Sequence, residues 1–374
     1  MTFTILTDSD IKNIFSKLSN AGLLALTSSL ERALIDYSVQ DGKSYQPHRG
    51  VVKRPDGQVS LFMPATTEEL NGVKIVGVRP SEAVAAASST GKPQAALKSV
   101  LTLCDRYGEA IGVLNAAEIT AFRTSLGSML LYRFRKVTDN IVVFGAGKQA
   151  LWHIRLAILL RGQDIKTITV VNRSKPRTVA LLDELKTDPD FPIPSHITLT
   201  SFDNESNDEA AFESLVASAD AIFCTTPSTQ PLFPATFLAS PEALKKTRYI
   251  AAIGSYRLDM QEIDPELLKM VINSSIATPV PHYQGGVVTV DSAIGCLDEA
   301  GELVKAGVST DKMLEAGQIL QTKKSSPSDE LDKWLESGFV IYKSVGIGVM
   351  DLAIGEELLR LAKDMGVGVH LPSF

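Results

Sequence analysis

The sequence predicts an α/β protein in which a doubly wound parallel sheet domain is joined to a second domain of α+β structure. From residue 137 onward, apolar strand-like runs alternate with helical patterns, which is typical of βαβ units and a parallel sheet. Residues 1–136 contain helical patterns and several short strand-like runs instead. A chain of 374 residues is also long enough for two domains.

In the first domain, residues 9–38 are predicted to be helical, with Ser9 and Asp10 as candidate N-caps and apolar residues at helical spacing. Short strands are predicted next, with Asp56-Gly57 as a hairpin signal between the first two. They read "GVVKR", "VSLFMPA", "VKIVGV" and "KSVLTLCD". The stretch "AAEITAFRTSLGSMLLYRF" then predicts a long helix.

In the second domain, the predicted strands are "NIVVFG", "TITVVN", "HITLTSF", "DAIFCTT", "RYIAAIG" and "VVTVDS", mostly separated by helices. The polar stretch 322–330 is predicted to be an exposed loop. The tail from Phe339 predicts a strand, a glycine-containing turn and a final helix. We therefore expect residues 137–337 to form the parallel-sheet domain. Residues 1–136 and 338–374 are expected to form the other, which the C-terminal helix completes.

Composition narrows the classes of function. The net charge is −6, and lysine and arginine are scattered rather than clustered, which argues against a nucleic-acid or membrane-surface partner. The cysteines, Cys104, Cys224 and Cys296, fit neither a disulfide framework nor zinc-ligand spacing, and they suit a reducing compartment. No signal peptide and no membrane-spanning run is expected, so we expect a soluble cytoplasmic protein without a metal site.

The segment Gly145-Ala146-Gly147-Lys148-Gln149-Ala150 predicts a dinucleotide site. A strand precedes it, a helix follows it, and a second strand ends near Asn172, as in a Rossmann unit. Gly145 and Gly147 permit a tight turn and close approach of the backbone to a pyrophosphate, and the helix N-terminus attracts phosphate. The alternative is a glycine turn that only serves packing in another α/β fold.

The residues after the second strand favour NADPH over NADH. NAD sites usually carry Asp or Glu about 20 residues beyond the glycines, to bind the ribose 2′-hydroxyl. Here the chain has Asn172, Arg173, Ser174 and Lys175, which could bind a 2′-phosphate through charge-assisted hydrogen bonds. The alternative is a solvated basic turn at the start of a helix.

Three basic residues of the first domain predict an anionic substrate. Arg49 lies in "PHRGVV", Lys74 interrupts an apolar strand, and Arg123 interrupts a helix of small and apolar residues. Each alone would more often be a surface cation or a structural ion-pair partner. Together they favour a carboxylate substrate held by guanidinium groups. Lys74, crowded by the other cations, is expected to have a lowered pKa.

At these positions the sequence resembles the ornithine cyclodeaminase/μ-crystallin family. The matching segments follow in the family's order from about residue 46 to residue 360. They are "PHR", "MPA", "GVKIV", "ITAFRTSLGS", "VVFGAGKQA", "VVNRS", "CTTPSTQPLF", "AAIGSYRLDMQEIDPELL", "VTVDS" and "YKSVGIGVMDLA". The resemblance implies a homodimeric NAD(P)-dependent enzyme that interconverts imino or keto acids with amino acids. The first domain would then bind substrate and form the dimer.

The resemblance also implies roles for individual residues. Lys74 matches the family's lysine for proton transfer, and Arg49 and Arg123 match its carboxylate-binding arginines. Met63 and Tyr256 fall in segments expected to contact substrate. The implied cofactor contacts, besides Gly145, Gly147 and residues 172–175, are Thr124, Lys148, Gln149, Thr225, Thr226, Lys343, Ser344 and Gly346. His153 and Asp291 are interpreted as structural, with Asp291 in the N-cap region of a helix.

One departure from the family bears on the reaction. Cyclodeaminases of the family carry an Asp at the position of Tyr256, and Asp259 lies three residues further on. The pattern is closer to the μ-crystallin/ketimine reductase branch. We therefore expect an NADPH-dependent reductase of ketimine or cyclic imine carboxylates. An ornithine cyclodeaminase, an amino-acid dehydrogenase and a non-catalytic NADPH-binding protein remain alternatives.

Overall fold

The computed structural model describes residues 2–79, 97–202, 208–274 and 285–372. The chain divides into two compact units. The first, here called the outer-segment unit, comprises Met1–Arg123 and Ile347–Phe374, and the second, the central unit, comprises Thr124–Gly346. These divisions fall at 123/124 and 346/347, and the boundaries 136/137 and 337/338 inferred from the sequence stay a prediction.

The strands of the described residues, in chain order, are β1 (Phe3–Leu6), β2 (Gly50–Lys53), β3 (Val59–Thr66), β4 (Leu70–Val78), β5 (Leu97–Asp105), β6 (Ala110–Asn115), β7 (Asn140–Phe144), β8 (Thr167–Val171), β9 (Thr198–Phe202), β10 (Ala221–Cys224), β11 (Arg248–Ala252), β12 (Val288–Val290), β13 (Met313–Glu315), β14 (Phe339–Lys343) and β15 (Val369–Leu371). The sequence did not indicate β1, β6, β13 or β15.

The α-helices of the same residues are α1 (Asp8–Ser16), α2 (Asn20–Val39), α3 (Ala117–Tyr132), α4 (Lys148–Arg161), α5 (Lys175–Thr187), α6 (Glu209–Ser218), α7 (Pro241–Lys245), α8 (Pro265–Ile272), α9 (Ala293–Glu299), α10 (Gly301–Ala306), α11 (Ala316–Ser325), α12 (Asp329–Ser337) and α13 (Gly348–Met365). None of them has both the length and the apolar character needed to cross a membrane.

The outer-segment unit is built on a mixed sheet with the strand order β15-β1-β6-β5-β4-β3-β2. The β1–β6 pair is parallel and the other neighbours are antiparallel. Helix α13 packs on this sheet so closely that a Cβ at Gly355 would lie 2.7 Å from the side chain of Leu101. It also contacts α2, where Ser29 donates to the Ala353 carbonyl at 3.1 Å. The C-terminal helix therefore completes this α+β unit, as predicted.

The central unit contains a parallel sheet with the described strands in the order β13-β12-β14-β11-β10-β7-β8-β9. The chain runs outward from β7 to β8 and β9, and then returns to the other side of β7 at β10. This arrangement confirms the predicted doubly wound sheet. The strand order reverses between β7 and β10, and open α/β sheets bind ligands at the carboxyl ends of the strands at such a point.

The helical structure predicted for residues 9–38 is found as two helices, α1 and α2, because the Ser19 side chain accepts a hydrogen bond from Gly22 N and so begins α2. Two details of the predicted helix ends are wrong. The N-cap of α1 is Thr7, which forms a capping box with Asp10. The predicted loop 322–330 shrinks to the residues between Ser325, where α11 ends, and Asp329, where α12 begins.

The cysteines are free thiols. Cys224 and Cys296 are fully buried in the apolar core of the central unit, where burial raises the pKa of both thiols. Cys104 is partly exposed on β5, opposite Asn71 of β4.

Candidate active site

A buried cluster of charged side chains surrounds Lys74 in the outer-segment unit. The Lys74 ammonium lies 2.8 Å from Asp351 Oδ1, to which it donates a hydrogen bond, and 2.7 Å from Oδ2. Arg123 Nε donates to the same Oδ1 at 3.1 Å. Lys74 and Asp351 are each about 1% exposed, so these charges interact away from water.

The fold explains why Lys74 meets these partners. On β4, Lys74 lies opposite Met63 of β3 and Leu101 of β5, which are both buried and apolar. A buried ammonium needs a charged or polar partner, because leaving it unpaired is far costlier than burying an apolar group. Helix α13 supplies Asp351 from its first turn, and α3 supplies Arg123.

The electrostatic surroundings lower the pKa of Lys74 from 10.5 to about 7. Burial is the main cause and the charge of Arg123 is the second, and together they outweigh Asp351, which raises this pKa. Arg49 lowers it further by a smaller amount. The expected direction is therefore found, and Asp351 is a partner that the sequence reasoning missed. A charged residue in the apolar run "GVMDLA" was the available signal.

The other expected substrate contacts lie in both units. Arg49 is half-buried in the segment before β2, and Met63 is buried on β3. Tyr256 follows β11 in the central unit, where the Arg257 guanidinium lies 5.9 Å from its ring centre. Asp259 is engaged with that same guanidinium, which donates two hydrogen bonds of 3.0 Å to its carboxylate. Contact of Arg49, Met63 and Tyr256 with substrate stays a prediction.

A cleft of about 1010 Å³ opens at the carboxyl ends of the central strands of the central unit. Six of the expected cofactor residues line it: Gly145, Gly147, Asn172, Arg173, Thr225 and Thr226. Gly145 has a φ of 113°, and a Cβ there would lie 2.6 Å from Thr225 Oγ1. Only glycine fits this turn, because both the backbone angle and the space exclude a side chain.

Helix α4 begins at this cleft. Its N-cap is Gly147, which provides no side-chain hydrogen bond, and its first turn contains no acidic residue. Lys148 is exposed in that turn, and Gln149 accepts a hydrogen bond of 3.3 Å from Ser125. Thr124 is buried in α3 beside Ser125. A helix N-terminus with a glycine N-cap and no acidic residue in its first turn favours an anion.

The basic turn after β8 contributes to the lining of the cleft. Arg173 and Arg177 both line the cleft, and Arg177 was not among the residues selected from the sequence. Ser174 is the N-cap of α5 without a side-chain capping bond, Lys175 is exposed, and the first turn of α5 contains no acid. Asp208 and Glu209 also line the cleft, so its charge is mixed rather than uniformly positive.

The segment 343–346 is held inside the central unit by buried carboxylates. Ser344 Oγ and Gly346 N donate to Asp291 Oδ2 at 2.6 and 2.7 Å. Asp291 directly precedes Ser292, the N-cap of α9, and so lies in the N-cap region as interpreted, but its fixation of the segment 343–346 was missed. The Lys343 ammonium donates to both Ser255 oxygens at 2.6 Å and lies 3.3 Å from Glu302. A cofactor contact by Lys343, Ser344 or Gly346 stays a prediction.

Comparison with known proteins identifies the family. The sequence model of the ornithine cyclodeaminase/mu-crystallin family matches residues 18–358, which is most of the chain. The chain belongs to the ornithine cyclodeaminase/mu-crystallin family. The resemblance noted in the sequence is thereby confirmed.

Two relatives in this family are named as reductases of C=N bonds. The chain is 26% identical to a Delta(1)-pyrroline-2-carboxylate reductase of Bacillus cereus, and the match covers 90% of this chain and 91% of the relative. It is also 26% identical to the ketimine reductase mu-crystallin of Rattus norvegicus, with coverage of 87% and 88%. At the level of the family, these names confirm the expected enzyme class.

A solved structure supports the assignment of the fold. The Delta(1)-pyrroline-2-carboxylate reductase of Thermococcus litoralis, in complex with NADH and L-proline, superposes with a TM-score of 0.74. The match covers 98% of this chain and 99% of that chain at 19% identity. At 19% identity this similarity shows that the two proteins share a fold, and nothing further.

Proposed function

We propose that the protein is an NADPH-dependent reductase of imino acids, acting on ketimine or cyclic imine carboxylates by hydride transfer to the C=N carbon. The observation that carries the proposal is the buried Lys74 amine, bonded to Asp351 beside Arg123. With a pKa of about 7, Lys74 is poised near neutral pH to give a proton to an imine nitrogen. Relatives named as pyrroline-2-carboxylate and ketimine reductases support the same class of substrate.

The chain's own groups account for the polar steps. Arg49 and Arg123 bind the substrate carboxylate, whose charge balances theirs, and so orient the C=N bond. Lys74 Nζ donates its proton to the imine nitrogen, which makes the adjacent carbon a better hydride acceptor. Asp351 holds Nζ in place through both carboxylate oxygens. The burial of this cluster strengthens each of these interactions relative to water.

The central unit has the features that a nicotinamide dinucleotide requires. The glycine turn at Gly145, the N-terminus of α4 and a cleft of about 1010 Å³ would hold its pyrophosphate and sugars. When bound, the reduced nicotinamide supplies the hydride. Arg173 and Arg177 line the same cleft and favour a ribose 2′-phosphate, which supports NADPH as the cofactor.

Two observations favour reduction over cyclodeamination. Residue 256 is Tyr, whereas the resemblance to the family implies Asp at this position in a cyclodeaminase. The nearest carboxylate along the chain, Asp259, is engaged with Arg257. A group that holds a distal amine for ring closure is therefore lacking at this position. The expected homodimer and cytoplasmic location stay predictions.

A panel of substrates tests the proposed reaction. Purified protein is mixed with NADPH and five- or six-membered cyclic imino acids, or with α-keto acids plus amines, and the absorbance of NADPH is followed. We expect NADPH oxidation with at least one imine. Ammonia release from ornithine without net NADPH oxidation would identify a cyclodeaminase instead, and NADPH binding without turnover on the panel would refute the reductase.

Replacement of Arg173 tests the choice of cofactor. Arg173→Asp should weaken NADPH binding and leave NADH binding nearly unchanged, because only NADPH carries the 2′-phosphate. Lys186→Asp, an exposed site in the last turn of α5, is the control with the same change of charge. Equal use of NADH and NADPH by the unmodified protein at low cofactor concentration would contradict the proposed preference.

A further inference from the structure

Glu262 is a buried carboxylate with no part in the proton transfer described above. It lies between β11 and α8 and is fully shielded from solvent. Its Oε1 accepts a hydrogen bond of 2.7 Å from Thr226 N. Its Oε2 accepts bonds of 2.6 Å from Gly254 N and 3.2 Å from Ser255 N. Each oxygen is thus bonded to a different loop, one after β10 and the other after β11.

These two loops follow neighbouring parallel strands and pack backbone against backbone. Strands β10 and β11 pair with Cys224 opposite Ala252, so the loops begin side by side. A Cβ at Gly254 would lie 2.5 Å from the backbone nitrogen of Thr226, which leaves no room for a side chain. The approach of the loops therefore depends on glycine at 254 and on a carboxylate that bonds both of them.

The segment around Glu262 braces the whole loop that lines the nucleotide cleft. Gln261 N donates to Ser228 O, and Leu232 N donates to Glu262 O, both at 2.9 Å. The side chain of Gln261 donates to Thr229 O at 3.1 Å. Because residues 225–230 line the cleft, their conformation sets one wall of the cleft.

Two further buried charged residues, Glu302 and Lys343, are bonded to Ser255, which itself donates to Glu262. Glu302 accepts hydrogen bonds of 2.6 and 2.7 Å from Ser255 Oγ, and Lys343 donates to both oxygens of Ser255. The charged groups that act on the Glu262 carboxylate are Lys343 from β14 and Glu302 from α10, and Glu262 in turn raises the pKa of the Cys224 thiol at the end of β10. Burial raises the pKa of Glu262 to about 7, Lys343 lowers it, and Glu302 raises it.

We propose that Glu262 is a positioning residue of the nucleotide site, whose ionised carboxylate holds the loop 225–230 in the conformation that binds the dinucleotide. The ionised form is required because both oxygens accept from backbone N–H groups, and a protonated carboxyl keeps only one oxygen as a full acceptor. The inference rests on the proposed function only in taking a nicotinamide dinucleotide as the ligand of the cleft.

Glu262→Gln tests the proposal, because an amide nitrogen must then face one of the N–H donors. The dissociation constant of NADPH, measured by fluorescence titration without substrate, should rise by about tenfold or more. Glu266→Gln is the matched control, since Glu266 is exposed on α8 and pairs with Lys269 at the surface. That variant should bind NADPH as the unmodified protein does. An unchanged dissociation constant in Glu262→Gln overturns the proposal.

The pH dependence separates positioning from a general loss of structure. The ratio of the two dissociation constants, variant over unmodified protein, cancels the titration of NADPH itself. As the pH falls from 8 to 6, Glu262 gains a proton in the unmodified protein, so the ratio should fall toward one. A ratio that is raised but constant over this range overturns the proposal, because it assigns Glu262 a structural role only.

If Glu262→Gln does not fold, a second measurement on the unmodified protein tests the proposal. Hydrogen exchange of the unmodified protein, corrected for intrinsic rates, should show weaker protection of the peptide containing residues 226–230 at pH 6 than at pH 8. Equal protection at both values overturns the proposal. If the unmodified protein binds neither NADPH nor NADH, the proposed function fails at its cofactor site and this inference fails with it, a result distinct from the others.

Discussion

Replacing Asp351 with asparagine tests whether proton donation by Lys74 depends on the balance of buried charges around it. The substitution keeps the shape of the side chain and removes the negative charge that lies 2.7–2.8 Å from the Lys74 ammonium. Burial and the charge of Arg123, which both lower the pKa of Lys74, are then no longer opposed by the charge of Asp351. The pKa of Lys74 should therefore fall below its value of about 7.

The structure gives the size of the expected effect. A pKa of about 7 instead of 10.5 corresponds to roughly 5 kcal/mol in favour of the neutral amine. An opposite charge in contact usually changes a pKa by about 1 to 3, so in the variant the pKa of Lys74 should lie between about 4 and 6. At pH 7 the protonated fraction would drop from about one half to about one tenth or less, and kcat/KM would fall by about fivefold to several hundredfold.

The assay is the pH dependence of kcat/KM for imine reduction, expressed as the ratio of variant to unmodified protein so that ionisation of the substrate cancels. The ratio should be low at pH 7 and recover toward pH 5. The Lys74 signal in a protein labelled with carbon-13 at lysine Cε gives the pKa directly, and Lys74→Met assigns that signal by removing it.

Three results would refute the reasoning. A rate for the unmodified protein that stays constant from pH 6 to pH 9 excludes an acid with a pKa near 7. A variant that loses the same factor at every pH shows that Asp351 orients Lys74 without affecting its charge. A Lys74 signal that titrates near 10 contradicts the electrostatic account altogether.

Three further predictions concern stability. Lys74 loses its proton near pH 7 in the folded chain and near 10.5 in the unfolded chain, which binds more protons in between. The free energy of unfolding, relative to Lys74→Met, should therefore rise with pH across that window by up to about 1.4 kcal/mol per pH unit, measured by urea denaturation. Gly254→Ala places a Cβ 2.5 Å from Thr226 N and should destabilise the protein by about 1–3 kcal/mol, whereas Gly147→Ala meets open space and should change the free energy of unfolding by less than about 0.5 kcal/mol. Arg135→Met should cost about 2 kcal/mol, because the buried guanidinium donates to two carbonyls near the end of α12 at 2.6 and 2.7 Å.

Each of these stability predictions has a contrary outcome. If the difference in the free energy of unfolding between the unmodified protein and Lys74→Met stays constant from pH 7 to pH 10, the pKa of Lys74 is not lowered in the folded chain. Equal stability of the two alanine variants would mean that the loops separate at little cost. An Arg135→Met variant as stable as the unmodified protein would show that water replaces the guanidinium.

The parts of the fold that depend on neighbouring residues in the sequence could be predicted. The turn at Gly145 follows directly from a strand and leads directly into a helix, so its context was visible in one short stretch. The alternation of strands and helices likewise indicated the parallel sheet. The ends of α11 and α12 could not be placed, because the polar residues 322–330 suit the exposed face of a helix as well as a loop.

Within the candidate site, the cations could be selected and their partners could not. Lys74 interrupts an apolar strand and is visible for that reason. Asp351, its partner, is 277 residues away along the chain, and only the fold brings the two together. Glu262 was part of a matching segment, but its bonds to Gly254 and to Thr226, which is 36 residues away, join two separate loops. Contacts of this kind leave no periodic pattern in a single sequence.

The three thiols differ in exposure, which allows one of them to be labelled selectively. Thiol reagents react with the thiolate, and burial raises the pKa of both Cys224 and Cys296, so maleimides should spare them in the folded chain. Cys104 is partly exposed and lies on β5, the strand that places Leu101 opposite Lys74. A single fluorophore could therefore be attached to the unaltered chain, on the strand next to the proposed proton donor, to report on substrate binding.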